Sequence, residues 1–119
     1  MCIGGKDNYN QDAVYPFDSY MDDLKDSGCY YLPPEICKDI IITSGVSGVQ
    51  TPLAIKKIRK KLNKEGAIEE DIPVFRIINR DVLSAYAGVL AESLVAAAEI
   101  GKGVEIIIGY PKALVIKVS

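Results

Sequence analysis

The segment from Val82 to Ile100 constrains the fold of this chain more than any other. Its composition predicts one long helix in which the polar residues are Ser84, Glu92, Ser93 and Glu99. A helix at the edge of a monomer has a single apolar stripe, whereas this helix would be apolar around nearly its whole circumference. Either the rest of the chain encloses it, or a second subunit covers one side. With only two long helices predicted in 119 residues, we expect a homo-oligomer that packs through the 82–100 helix.

Segments rich in β-branched residues alternate with helical segments along the rest of the chain. Strands are expected at 36–43, 73–78, 104–108 and 113–118. The last two strands would form a hairpin around residues 109–112. The resulting order, α-β-α-β-α-β-β, predicts an α/β fold with a mixed sheet and two main helices, with an α+β arrangement as the alternative.

The first of the two main helices has a clear beginning. Thr51 at the N-cap and Pro52 at the first helical position are the residue types that helix N-termini favour. An apolar stripe follows at helical spacing, formed by Ile55, Ile58 and Leu62. The helix is expected to continue to residues 64–65, because the glycine at position 66 ends it.

The N-terminal part of the chain differs from the rest in composition. Residues 1–16 are mainly Gly, Asn, Asp, Gln and Tyr without periodicity, which predicts an arm that precedes one α/β domain over residues 17–119. A short helix would follow the arm, from Asp18 or Ser19 to Gly28. Six of the nine aromatic residues lie in the first 31 positions. Such a segment could pack on its own domain, cover a pocket or hold a second subunit.

The chain contains no histidine, which excludes Ser-His-Asp and Cys-His catalysis and histidine-ligated metals. Its three cysteines, Cys2, Cys29 and Cys37, have no CxxC spacing and lack a fourth ligand, so no metal site is expected. They are interpreted as reduced, apolar residues of a cytoplasmic protein. No apolar run approaches the ~20 residues of a membrane helix. No catalytic residue and no cofactor are predicted.

The segment 43–51 joins a predicted buried strand to the beginning of a helix. Backbone N–H groups at a helix N-terminus bind anions, and ligands of open α/β sheets gather at the carboxyl ends of strands. We therefore expect a small anionic, nucleotide-like ligand here, contacted by this loop and by two arginines near the second strand. The predicted ligand-binding residues are Ser44, Gly45, Ser47, Gly48, Thr51, Arg76 and Arg80. The alternative is a flexible connection with a good helix cap.

The helix after this loop is strongly basic. Six cations occupy nine positions: Lys56, Lys57, Arg59, Lys60, Lys61 and Lys64. Such a face could contact the phosphate backbone of RNA, and Lys57, Lys60 and Lys61 are the candidates for that role. The alternative is a solvated lysine-rich face, because the net charge of the chain is −2 and no aromatic residue lies among these cations.

Three stretches resemble the HutP-like fold of the histidine-operon antiterminators. They are residues 54–68, the alanine-rich helix that follows, and residues 103–106 before the closing strands, so the resemblance covers roughly residues 50–118. The resemblance implies this fold and a hexamer-like oligomer. Members of that family bind RNA when a small ligand and a metal are present. That family contacts its ligand and metal through histidines, which this chain lacks, so no site residue carries over.

The sequence therefore favours a non-enzymatic, oligomeric protein that binds or sequesters an anionic, nucleotide-like small molecule. The alternative is an RNA-binding regulator that uses the basic helix. A small enzyme with carboxylate or tyrosine acid–base chemistry is the third class. Its candidate carboxylates, at positions 69–71, lie in a polar connection that looks solvated, where no perturbed pKa is expected.

Overall fold

The computed structural model describes residues 13–16, 28–48, 50–64, 67–78, 80–109 and 113–119. The strands are β1 (Ala13–Pro16), β2 (Gly28–Leu32), β3 (Val104–Ile108) and β4 (Ala113–Val118). The helices are α1 (Pro34–Thr43), α2 (Thr51–Asn63), α3 (Val74–Ile77), α4 (Arg80–Ala85) and α5 (Ala87–Ile100). The chain thus combines helices with a sheet, as the α/β prediction requires.

The sheet is antiparallel throughout its described strands. Its order is β1-β4-β3-β2, and each neighbouring pair runs antiparallel. The predicted C-terminal hairpin is confirmed, with Val104 opposite Val118 and Ile108 opposite Leu114. The prediction of a mixed sheet is wrong, because two of the four segments expected to be strands are helices. Residues 13–16, the end of the predicted arm, form β1. Residues 1–12 and most of the predicted short helix, 17–27, lie outside the described residues.

The segment 36–43, predicted to be a strand, belongs to helix α1. Pro34 stands in the first turn, where its fixed φ favours a helix and its missing N–H costs nothing. Cys37, Ile40 and Ile41 are buried at helical spacing, whereas Ile42 is 66% exposed. β-Branched residues disfavour a helix only weakly, so burial of this one face decides the conformation.

Two other segments also differ from prediction. Residues 73–78 contain the short helix α3, in which Val74 and Phe75 are buried, rather than a strand. The predicted 82–100 helix is divided into α4 and α5 at Tyr86, whose φ of −109° and ψ of 17° interrupt the regular helix. The two pieces still follow one another closely, since the Tyr86 N–H bonds to the Val82 carbonyl and the Leu90 N–H bonds to the Tyr86 carbonyl.

Helix α5 lies at the centre of the molecule. It packs on α1, on α2, and on β3 and β4 of the sheet. Its buried residues are Ala87, Leu90, Ala91, Leu94, Val95 and Ala97. Its exposed residues are Glu92, Ala96, Glu99 and Ile100. Helix α1, which the sequence pattern did not predict, supplies much of this enclosure. The apolar circumference of α5 is therefore accounted for within the chain and is no longer an argument for a subunit contact.

The core lies between the sheet and the helices. Val104, Ile106 and Ile108 of β3 are fully buried on the helix-facing side, while Glu105 and Ile107 alternate with them on the other face. None of the helices in the described part of the chain is long and apolar enough to cross a membrane.

Candidate anion-binding site

Helix α2 presents its cations outward because its small and aliphatic residues point inward. Ala54, Ile58 and Leu62 are buried at positions four residues apart, and Ile55 is half-buried beside them. The predicted stripe of Ile55, Ile58 and Leu62 is therefore close to the observed one. The helix, TPLAIKKIRKKLN, contains no acidic residue. Its positive charges are thus not neutralised by neighbours on the same helix.

Residues of one face of α2 line a shallow, largely open depression of about 460 Å³, which we call the groove. The groove is lined by Pro52, Ile55, Lys56, Arg59, Lys60 and Asn63. These positions follow the i, i+3, i+4, i+7 pattern of one helical face. Lys56, Arg59 and Lys60 are exposed and concentrate three positive charges in it. We call these three residues the groove cations.

Arg59 lies where α2 meets α5. A methyl group built on Gly88 of α5 would lie 3.9 Å from Cδ of Arg59, so the arginine stem runs alongside that helix. Long basic side chains commonly lay their methylenes on a neighbouring surface and keep the charged group in water. Contact with α5 on one side therefore restricts where the Arg59 guanidinium can go, and the exposed Lys56 and Lys60 flank it on α2.

No described acid pairs with the groove cations. Across the described ranges, the ion pair that forms joins Arg80 Nη2 to Glu69 Oε1 at 2.7 Å. Arg76 also meets Glu69, since its Nε donates to the Glu69 backbone carbonyl at 3.3 Å. The two arginines predicted to bind a ligand are thus engaged with one glutamate, whereas the groove cations face solvent.

The predicted anion-binding loop connects two helices rather than a strand and a helix. Ser44 ends α1, and its hydroxyl donates to the Ile40 carbonyl at 2.8 Å. Gly45 and Gly48 adopt φ values of 86° and 75°, a left-handed conformation that suits glycine. Ser47 is exposed. The expectation that the loop lies at the carboxyl end of a strand is therefore wrong, because residues 36–43 are helical.

The N-terminus of α2 already has an anionic neighbour within the chain. Gln50, not Thr51 as predicted, is the N-cap residue, and it makes no side-chain capping bond. The Thr51 hydroxyl donates to Oε2 of Glu99 at 2.9 Å. A carboxylate near a helix N-terminus is favoured by the helix dipole. Glu99 thus stands close to where an anion bound at this helix end would lie.

The structure does not bring Arg76 and Arg80 to this loop. Helices α2 and α5 run antiparallel, since Thr51 meets Glu99 near one end and Arg59 meets Gly88 further along. Arg80 precedes α5 by seven residues, so it lies at the end of the helix pair remote from Thr51. The seven predicted ligand-binding residues therefore occupy two separate places.

Of the three lysines predicted to contact RNA, one lines the groove. Lys60 does so, whereas Lys57 donates from Nζ to the Gly45 carbonyl at 3.3 Å and Lys61 is half-buried. Lys56 and Arg59 were recognised as basic but were not chosen, and Asn63 was missed. The sequence feature that could have identified them is their helical spacing from Pro52, which places them on one face of α2. The same spacing separates the cations that line the groove from those that do not.

The described cysteines differ in state. Cys29 forms a disulfide, which corrects the expectation of a reduced thiol at that position. Cys37 is a free, buried thiol that points at the Leu32 carbonyl, 3.6 Å from its Sγ. Burial raises the pKa of the Cys37 thiol to about 11, which keeps it protonated and unreactive at neutral pH. In the described part of the chain, no group of three or more side chains could hold a metal ion.

Neither the family models, nor the curated proteins, nor the solved structures compared with this chain match it. The function of the chain is therefore inferred from the geometry of α2 and its surroundings.

Proposed function

We propose that the protein is a non-enzymatic RNA-binding protein and that the groove face of α2 contacts the phosphate backbone. The observation that carries this proposal is the set of groove cations. Lys56, Arg59 and Lys60 share one open face of a helix that has no acidic residue. Phosphate neutralisation by lysine and arginine supplies most of the affinity in sequence-independent nucleic-acid binding.

The shape of the groove favours a chain of phosphates over a small ligand. Pockets for small molecules enclose most of the surface of the ligand, whereas this groove is shallow and largely open to solvent. Lys56 and Lys60 are four residues apart and so lie about 6 Å from each other along the helix axis. Positive charges that repeat along the helix axis suit a ligand with regularly repeated negative charges, such as a chain of phosphates.

Two charge-matched variants test the proposal. One replaces the groove cations: Lys56→Gln, Arg59→Gln and Lys60→Gln. The other removes the same charge from the rest of the basic segment: Lys57→Gln, Lys61→Gln and Lys64→Gln. Affinity for a mixed-sequence RNA would be measured by fluorescence anisotropy at near-physiological salt. We expect the groove variant to lose at least tenfold more affinity than its control, because only its residues touch the backbone directly.

Circular dichroism would show that both variants remain folded, since all six residues lie outside the buried core. Equal losses in the two variants would mean that the net charge of the helix matters and the groove does not. Absence of RNA binding by the unmodified protein would refute the proposal outright.

A small anionic ligand at the 44–51 loop is a second candidate function. It is favoured by the amine of Lys57, which lies 3.3 Å from the Gly45 carbonyl and so brings a cation to the loop. Glu99, bonded to Thr51, would compete with such a ligand.

Glu99→Gln should therefore strengthen the binding of inorganic phosphate or a nucleotide at this loop, because the competing negative charge is removed while the side-chain shape is kept. The increase in melting temperature with phosphate is the measurement. Gly48→Val, which forces a β-branched residue into the left-handed region, is the complementary change and should weaken the same response. A response that neither change alters would place any anion site elsewhere.

A further inference from the structure

Arg59 differs in chemistry from the residues around it. It is the one arginine in α2, where the other cations are lysines. It also lies in the middle of the groove, between Ile55 and Asn63, with its stem beside Gly88 of α5. Lysine offers a compact, strongly hydrated charge, whereas the guanidinium is planar and can stack on an aromatic ring.

The groove is not lined by charge alone. Pro52 and Ile55 contribute apolar surface near its beginning, and Asn63 contributes an amide at its other end. A ligand that presented only phosphates would leave this apolar surface unused. In double-stranded nucleic acid the bases are stacked inside the helix, so a single α-helix lying on the backbone meets phosphates and sugars. An unpaired base, by contrast, exposes a flat face that can lie on a guanidinium plane or on apolar side chains.

We propose that Arg59 stacks on an unpaired base while Lys56 and Lys60 hold the neighbouring phosphates, so that the ligand of the groove is single-stranded RNA. This inference rests on the function proposed above and makes it more specific. In this proposal Arg59 makes the protein prefer single-stranded over double-stranded RNA, whereas the two lysines contribute to the binding of both.

The test uses a substitution that keeps the positive charge of Arg59 and removes its planar guanidinium group. Arg59→Lys would be compared with Arg76→Lys, an arginine-to-lysine change at an exposed residue outside the groove. Affinities would be measured for a short single-stranded RNA, for the duplex of the same sequence, and for inorganic polyphosphate, which has charge but no bases. Circular dichroism of each variant checks the fold.

We expect the unmodified protein to bind the single strand more tightly than the duplex. Arg59→Lys should weaken single-strand binding by about five- to tenfold, in the range expected for loss of one base-stacking contact. The loss for polyphosphate should be far smaller, and Arg76→Lys should change none of the three affinities.

Three results would overturn the inference. The first is that the unmodified protein binds single strand and duplex with equal affinity. The second is that Arg59→Lys loses as much affinity for polyphosphate as for the single strand. The third is that Arg59→Lys loses no affinity for the single strand. The first two leave RNA binding by the groove cations intact, so the failure of this inference is distinguishable from failure of the proposed function. If none of the three ligands binds, both proposals fail together.

Discussion

At one buried position the local geometry requires a particular residue type. Gly103 is buried, and a side chain there would overlap the Leu32 carbonyl and the Tyr31 ring. Its backbone N–H and carbonyl exchange hydrogen bonds with Ser119, which extends the β3–β4 ladder beyond the strands. The close approach of β2 to this position therefore depends on glycine, and no feature of the local sequence indicated that requirement.

Cys37 makes a pH-dependent contribution to stability whose sign follows from its pKa. Burial raises that pKa from 9.0 to about 11 in the folded protein. Below pH 9 the thiol is neutral in both states and its burial contributes fully. As the pH rises from 9 towards 11, the thiol of the unfolded chain ionises first, so the free energy of unfolding falls.

Comparison with Cys37→Ala isolates this contribution, because other groups also titrate at alkaline pH. Urea unfolding would be measured between pH 8 and 11 for both proteins. We expect the stability of the unmodified protein to decline more steeply over this interval than that of Cys37→Ala. Parallel pH profiles would show that the thiol is not held in an apolar environment.

Among the helices and strands, the sequence correctly predicted those whose pattern of apolar residues fits only one type of secondary structure. Helix α2 has a proline in its first turn and an apolar face at clear helical spacing, and the β3–β4 hairpin has two apolar strands around a short turn. The segment 36–43 is different, because a short run of isoleucines fits a buried strand and a buried helix face equally well. Pro34 is compatible with the first turn of a helix, and packing against α5 decides the outcome.

The candidate site was predictable to a similar degree. Its basic composition is evident in the sequence, as is the helix that carries it. Which cations share the groove depends on how α2 is rotated against α5, and this follows from the burial of Ala54, Ile58 and Leu62. Arg76 and Arg80 were chosen for their type and for their place near the predicted second strand, which is a short helix. Their common partner, Glu69, could not be identified without the tertiary structure.

The packing of α5 makes its two faces respond differently to charge. Ala91 is 0% exposed, so Ala91→Glu would bury an unpaired carboxylate and should lower stability by several kcal/mol or prevent folding. Ala96 is exposed, so Ala96→Glu should change the free energy of unfolding by less than about 0.5 kcal/mol. Thermal unfolding of the two variants checks this contrast. Similar effects at both sites would mean that α5 is not enclosed as described.

For the whole molecule, homo-oligomer formation remains a separate proposal. The enclosure of α5 removes its original reason, but the exposed Ile42, Leu53 and Ile100 leave apolar surface on the outside. Native mass measured on the unmodified protein and on Ala96→Glu addresses it directly. An assembly that uses the outer side of α5 should dissociate in the variant while its monomer fold persists.

The central claim about the whole molecule is that its function depends on phosphate contacts made by one face of α2. The salt dependence of RNA affinity measures such contacts directly, because each phosphate that is neutralised releases counterions. The slope of log affinity against log salt concentration would be determined for the unmodified protein and for the variant lacking the three groove cations. Because Lys56 and Lys60 are assigned to phosphates and Arg59 to a base, the magnitude of the slope should fall by about 1.4 for a single strand. An unchanged slope, with RNA still bound, would show that the groove cations do not touch the phosphate backbone.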